Sequence, residues 1–441
     1  MNNPGRDTGS LVPVPRLRLH YGYVALAMAS LALLTTLGFG RFAYSLILPG
    51  MKEGLSLNYT QMGLLGTVNT IGYLAAVPLA GVAASRFGSR MVIAAGMLVT
   101  GLALAATGAV FDFGWALFSQ TIAGVASAGA IVPSMAFAGA WVARRKRGIA
   151  SGFITSGVGI SFFATGPVIP SLVASYPEMG WRYAWFLVAG VVFLSGLLVA
   201  ALLRSRPQDM GLQVMGFNPE AVQGDPPGEG DPPGRPYGSD TRQAPASALN
   251  WGLIYRSGAV WHLSILYGIF GFAYISYLTF FAAFLREQGG LAEGIIGNMW
   301  AISGLGMIAG SLVWGSLSDR LGRRLGISAV FVFLAIAIFL FTTSHSVVIY
   351  TISAVLFWAA EPGVPVIVAA ACGDYVGGRL APAAVGFATL FMGIGQAIGP
   401  YLTGGIADMT GSFNTAFYVS ALVALLGMAS ALFLRPTTVH P

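Results

Sequence analysis

Two ionisable residues sit where an apolar sequence tolerates them least. Arg41 lies in Leu37-Gly-Phe-Gly-Arg-Phe-Ala-Tyr-Ser-Leu-Ile-Leu-Pro49, which ends an apolar segment starting near Tyr23. Glu361 lies in Phe357-Trp-Ala-Ala-Glu-Pro-Gly-Val-Pro365, midway through another. A guanidinium can fork onto a carboxylate with two parallel hydrogen bonds. A carboxyl taken out of water can bind and release a proton during a cycle. The implied chemistry is therefore recognition of an organic anion and movement of a proton, with no covalent step. Each residue also has a plainer reading. Arg41 could snorkel to the interface or pair with a helix-end carbonyl. Glu361 could remain a neutral acid bonded to a carbonyl freed by Pro362 and Pro365. An ion pair between the two would also keep both charges buried.

The elements that carry them are long apolar helices. Residues 23–48 would form a helix of roughly 39 Å, enough to cross a bilayer with some tilt. Arg41 would lie about 12 Å below the Pro49 end, deeper than a reach of about 6–7 Å can escape. A charge at that depth costs on the order of 3 kcal/mol.

Composition agrees. The 441 residues are 56% hydrophobic and 9% charged, against roughly 25% charged in soluble domains. Twelve spans are expected, at 23–48, 61–84, 91–111, 115–141, 149–174, 182–203, 259–284, 294–317, 326–344, 347–371, 380–406 and 413–434. Helices alone leave no backbone group unpaired in hydrocarbon. With the N-terminus inside, 19 of the 23 Lys and Arg fall on the cytoplasmic side and three outside, leaving Arg41. The positive-inside rule therefore places both termini in the cytoplasm. It also assigns the net charge of +7 to anionic inner-leaflet lipid, not nucleic acid. One cysteine, Cys372, excludes an intrachain disulfide and a thiolate metal cluster. No apolar leader precedes the first span. Without a Walker-type phosphate loop, ATP-driven transport is not expected.

The chain divides into a tail over 1–22, a six-helix half over 23–203, a disordered cytoplasmic linker over 204–258, a second six-helix half over 259–434 and a tail over 435–441. The linker reading rests on Gln223-Gly-Asp-Pro-Pro-Gly-Glu-Gly-Asp-Pro-Pro-Gly-Arg-Pro236, which has little apolar surface to bury. The halves repeat. Gly81-Val-Ala-Ala-Ser-Arg-Phe-Gly-Ser-Arg90 and Gly315-Ser-Leu-Ser-Asp-Arg-Leu-Gly-Arg-Arg324 are offset by 315 − 81 = 234 residues. Gly166-Pro167 and Gly399-Pro400 are offset by 233. Parallel repeats of six spans are a transporter signature.

The two decapeptides resemble the loop motif of the major facilitator superfamily, G-x-L-A-D-R-x-G-R-R/K, and the resemblance covers essentially the whole chain. It implies an all-α fold of two six-helix bundles working by rocker-switch alternating access. It also implies a conformational latch from Gly81, Arg86, Gly88 and Arg90 in one half. Gly315, Asp319, Arg320, Gly322, Arg323 and Arg324 supply the other. Ser85 replaces the usual aspartate, which makes the first copy the weaker. Gly38-Phe-Gly-Arg-Phe-Ala-Tyr44 followed by Pro49-Gly-Met51 is similar to the first helix of YbfB/YjiJ-type transporters. Trp141–Gly152, Gly180–Ala184 and Gly399–Gly411 look like stretches of monocarboxylate and oxalate/formate carriers. Those carriers' intramembrane basic residue is absent from 294–317 and 380–406.

A cavity is expected to draw on Arg41, Tyr44, Asn69, Tyr73 and Gln120 from the first half, and on Tyr274, Tyr277, Trp358 and Gln396 from the second. Glu361 is the candidate proton-coupling group. The expected function is proton-coupled secondary transport of a small organic anion, a carboxylate above all, in a bacterial-type inner membrane. The expected partners are the anion, protons and lipid; the protein is expected to be a monomer without cofactor, metal or catalytic site. Export of a neutral or cationic compound, and a transporter-like sensor without turnover, are the alternatives.

Overall fold

A computed structural model describes residues 20–143, 147–215, 252–343, 345–377 and 380–435. Among the described residues, twelve helices are long and apolar enough to cross a membrane. They are α1 (Gly22–Leu55), α2 (Tyr59–Phe87), α3 (Ser89–Ala109), α4 (Phe113–Trp141), α5 (Gly148–Ser175) and α6 (Gly180–Leu202) in the first half. The second holds α7 (Gly258–Glu287), α8 (Glu293–Leu321), α9 (Arg323–Thr343), α10 (Val347–Val376), α11 (Ala381–Thr410) and α12 (Phe413–Ala431). The fold is the expected all-α, twelve-span architecture. The even number of described spans puts the first and last described residues, His20 and Arg435, on one face, called here the basic face.

Three local features depart from a plain reading of the apolar runs. First, α1 does not stop at Pro49 but continues to Leu55, which puts Arg41 about 21 Å from that end and nearer the middle of the span. Second, Leu34–Phe42 is wound as a π-helix, so that Ala43 N–H donates to Gly38 O at 3.0 Å. Gly38 abuts the Ser161 side chain, leaving no room for a Cβ. Third, α10 is broken. Val347–Ala360 and Gly363–Val376 are separate helical pieces meeting at Glu361-Pro362, as the missing proline N–H requires.

Within each half, α2 packs on α4, α3 on α6, α7 on α11, α8 on α10 and α9 on α12. The halves meet through two antiparallel pairs, α2 with α11 and α5 with α8. Glycine makes those seams close: a Cβ on Gly63 would strike Pro400 O, and Gly166 and Gly297 each pack on the other's carbonyl. All these contacts belong to the face opposite the chain ends or to the middle. Toward the basic face, a Cβ on Gly81, Gly148, Gly152 or Gly386 would meet no atom within 4 Å. The close glycine contacts between the halves thus lie in the middle and on the face opposite the basic one, called here the closed face.

The described edges of the segment read as linker are ordered. Pro207–Met210 forms a 3-10 turn, and Met215 exchanges backbone hydrogen bonds with Trp141 and Ala143. Gly252–Arg256 is helical. The Pro/Gly-rich core of that segment, most of the N-terminal tail and the last six residues lie outside the described residues.

Candidate functional site

Arg41 stands where the two halves meet. Its Nη2 donates to Thr70 Oγ1 on α2 and to Gln396 Oε1 on α11, both at 2.9 Å. Gln396 Nε2 in turn donates to Tyr274 OH on α7 at 2.8 Å. The Arg41 guanidinium carbon lies 5.1 Å from the Tyr73 ring centroid, within cation–π range. The π-turn and the Gly38–Ser161 contact fix the α1 backbone, so the side chain projects across the seam toward α11. Four expected residues, Arg41, Tyr73, Tyr274 and Gln396, thus come together. Thr70 was not anticipated.

A cavity of about 30 Å³ lies beside this cluster, lined among others by Arg41, Tyr44, Ser45, Asn69, Thr70, Gln120 and Thr279. Asn69 and Gln120 border it as parts of a buried network. Asn69 Nδ2 donates to Gln120 O (3.1 Å) and Oε1 (3.0 Å), and Gln120 Nε2 donates to Thr107 Oγ1 at 3.3 Å. Tyr44 lines the cavity with its ring while its hydroxyl donates to Met62 O at 2.7 Å.

Tyr277 does not join the site. Its ring stacks on Phe357 at 3.9 Å and its hydroxyl meets Ser353 Oγ at 3.3 Å inside the second half. Trp358 sits in an aromatic cluster with Phe42, Phe162 and Trp300 that bridges the halves. Its buried Nε1 has no hydrogen-bond partner among the described residues.

Glu361 is 6% exposed at the α10 break. The carboxyl has no hydrogen-bond or ion-pair partner among the described residues. The carbonyl of Ala359 at the break is taken by Trp314 Nε1 at 2.7 Å instead. Arg41 and Glu361 form no ion pair. Tyr274 lies within electrostatic range of both, and Tyr267, two turns earlier on α7, is within range of Glu361.

The closed face carries a seal. Lys52 Nζ meets Glu287 Oε1 at 3.0 Å, and Arg286 Nη2 meets Glu53 Oε1 at 2.9 Å. Tyr59 OH also donates to Glu287. Asp408 at the end of α11 accepts Tyr59 N–H (2.9 Å) and Thr60 N–H (2.7 Å), capping α2 from the other half. These residues were missed, although Lys52-Glu53 and Arg286-Glu287 stand at the 234-residue repeat offset. That offset turns a pseudo-twofold relation into two crossed ion pairs.

On the basic face the expected latch residues divide. Gly88 and Gly322 end α2 and α8 with φ of 84° and 81°, a backbone region natural only to glycine. Arg323 bonds Asp319 (2.5 Å), Asp374 (2.8 Å) and Ser318 (2.8 Å). Lacking such acids, Arg90 donates from Nε and Nη2 to Ala200 O at the end of α6, at 2.8 and 2.6 Å. Both clusters stay within their own half. The side chains of Arg86, Arg320 and Arg324 are exposed and make no hydrogen bond or ion pair among the described residues. Gly81 has no close neighbour and Gly315 only Val366.

Comparison with known proteins accords with this architecture. The family model described as Major Facilitator Superfamily matches residues 29–295, more than half of the chain. The chain belongs to the major facilitator superfamily. A second model, described as uncharacterised MFS-type transporter YbfB, matches residues 235–432. The protein is similar to a probable sulfoacetate transporter, SauU, of Cupriavidus necator, 24% identical with 90% of each chain covered. It is similar also to a hexuronate transporter of Bacillus subtilis, 22% identical over 91% of this chain and 92% of that one. Among solved structures, a D-xylose-proton symporter superposes with a TM-score of 0.73 at 14% identity, covering 95% of this chain and 99% of that one. A bacterial homologue of the lysosomal transporter Spinster, described as inward-facing and unoccupied, gives 0.68 at 17%, with 95% of each chain covered. This facilitator is thus a multi-pass membrane protein whose relatives are transporters.

Proposed function

We propose that this superfamily member carries a small organic anion, a carboxylate, across a bacterial-type inner membrane by proton-coupled alternating access. The observation that carries the reading is how Arg41 is bonded. A carboxylate can fork onto a guanidinium through Nε and Nη2 or through Nη1 and Nη2. Both forks need Nη2, and Nη2 is held by Thr70 and Gln396. An arriving carboxylate must therefore displace one of them. Gln396 is the hold that reaches Arg41 from the second half, so its displacement loosens the seam as the substrate binds. A ligand that changes the relative stability of two states shifts their populations by that difference.

Glu361 serves as the proton-coupling group. It lies at a helix break near the middle of the bundle, without a counter-ion among the described residues, and Tyr274 of the Arg41 cluster is within electrostatic range of it. Proton binding at Glu361 offsets the charge that the anion brings in. With the basic face in the cytoplasm, the described state faces inward, and the seal at Lys52–Glu287 and Arg286–Glu53 closes the outside. The sulfoacetate and hexuronate names of the relatives support an anionic substrate. The protein works as a monomer, with anionic lipid against its basic face.

The test is uptake into proteoliposomes under an inward proton gradient, with small mono- and dicarboxylates as substrates. Accumulation of a carboxylate that is lost in Arg41→Gln supports the reading. If no carboxylate moves and Arg41→Gln only lowers stability, Arg41 is structural. A neutral or cationic substrate centred on the unpartnered Glu361 then becomes the better reading.

A further inference from the structure

The cavity beside Arg41 holds polar groups that a bare carboxylate would leave unmet. We propose, resting on the anion reading above, that it is a subsite for hydroxyl groups of the substrate. The transported acid is then a hydroxylated monocarboxylate, substituted at the carbons next to the carboxylate, and not an unsubstituted aliphatic acid.

Three side chains carry the argument. Thr279 on α7 is 3% exposed and lines the cavity, yet its hydroxyl has no hydrogen-bond partner among the described residues. Thr100, Thr107, Thr165 and Thr342 donate to a carbonyl one turn back; Thr36 and Thr403 also lack a partner among the described residues, but neither lines this cavity. Ser45 on α1 is 1% exposed. It accepts a long 3.5 Å bond from Ala282 N–H and donates to no group among the described residues, whereas Ser134, Ser161 and Ser264 all donate to their own helices. Asn69 commits its Nδ2 to Gln120, and its Oδ1 has no partner among the described residues. The Thr279 hydroxyl and the Asn69 amide oxygen, both without a partner among the described residues, and the uncommitted proton of Ser45 therefore converge on one small space.

Buried groups of this kind are normally satisfied, and leaving them unmet costs free energy. A ligand methylene placed there would strand all three, while a hydroxyl can both donate to Asn69 Oδ1 and accept from Ser45 or Thr279. The volume fits the same conclusion. A cavity of about 30 Å³ holds about two water-sized groups, the size of two hydroxyls on adjacent carbons, with the carboxylate on Arg41 at the rim. Ser45 and Thr279 come from opposite halves, so such a ligand would also bridge the seam.

The test is calorimetric binding to the full-length protein in detergent, with acids paired by chain length: propionate against lactate and glycerate, hexanoate against gluconate. Hydroxylated acids are expected to bind wild type at least about tenfold more tightly than their unsubstituted partners, as for sites built around a ligand hydroxyl. The Ser45→Ala/Thr279→Val double variant should bring that ratio to within about twofold, weakening the hydroxylated acids and, with fewer groups left to strand, tightening the unsubstituted ones; Ser45→Ala with Thr279→Ser should restore part of it. Equal binding of both classes to wild type, still lost in Arg41→Gln, overturns the subsite and leaves the anion reading standing. A double variant that weakens both classes alike also overturns it, because Ser45 and Thr279 then serve packing. If no acid of either class binds in an Arg41-dependent way, the anion reading fails and the subsite fails with it.

Discussion

The halves are joined by charge in two places, and the two joints are built differently. At the closed face, each cation meets a carboxylate from the other half, Lys52 with Glu287 and Arg286 with Glu53, in side chains that water still reaches. In the middle of the bundle, Arg41 is held by an alcohol and an amide, and its positive charge has no negative partner. Pairs of the first kind are complete. They contribute little each, roughly 0–1 kcal/mol, and their role is to hold one state. The second joint satisfies hydrogen bonds but not charge. In a part-buried setting that deficit favours an anion, and the neutral partners can be displaced without leaving an ion behind.

If that contrast is right, the largest effect belongs to Arg41. Arg41→Gln should reduce carboxylate binding by at least about 100-fold, since a desolvated hydrogen bond to a charge is worth about 1.5–3 kcal/mol and a fork makes two. Arg41→Lys keeps the charge but loses the fork and should fall between. Calorimetric titration of both variants checks this, and equal affinity across the three proteins would place Arg41 among structural residues. Glu361→Gln comes next. It removes the titrating proton but not the Arg41 cluster, so accumulation driven by a proton gradient should fall about tenfold or more while anion counterflow persists. Loss of both activities together would assign Glu361 to folding or binding instead of coupling.

The spans and their pairing into halves were legible because apolar length, basic-residue bias and a 234-residue repeat are all one-dimensional signals. The Arg41 cluster was half legible. Tyr73, Tyr274 and Gln396 stood out as polar residues in apolar runs, but Thr70 and Thr279 did not. A threonine in a span usually bonds its own helix, as Thr70 does to Gly66 O at 3.0 Å, and only the neighbours decide what else its oxygen meets. Tyr277 misled for the converse reason: it is one helical turn from Tyr274, yet the helix turns it into the packed second half. The ordered stretch at 207–215 was hidden by its polar, proline-containing sequence, since its order comes from pairing with the end of α4.

A smaller effect is expected at Gln396, and its sign is informative. Gln396→Ala removes one of the two partners of Nη2, so that a carboxylate need displace neither, and anion binding should tighten by about two- to tenfold, the worth of one hydrogen bond of roughly 0.5–1.5 kcal/mol. Weaker binding would mean that Gln396 contacts the ligand directly.

The smallest effect tests the completed joint. Lys52→Glu sets like charges against Glu287, and the two side chains of this pair are about a quarter exposed, 24% and 27%, so the shift between states should be about 1 kcal/mol or less. Because the pair is a swap of two full charges, Lys52→Glu with Glu287→Lys should recover most of it, whereas no such exchange can rebuild Arg41 with Gln396. The readout is a distance distribution between spin labels on the loops joining α1 to α2 and α7 to α8, in a background lacking Cys372. Lys52→Glu should enrich the long-distance population by up to about fivefold, and the double swap should return it toward wild type. An unchanged distribution in Lys52→Glu would mean that the glycine seams of α2 with α11 and α5 with α8 hold the closed face without help from charge.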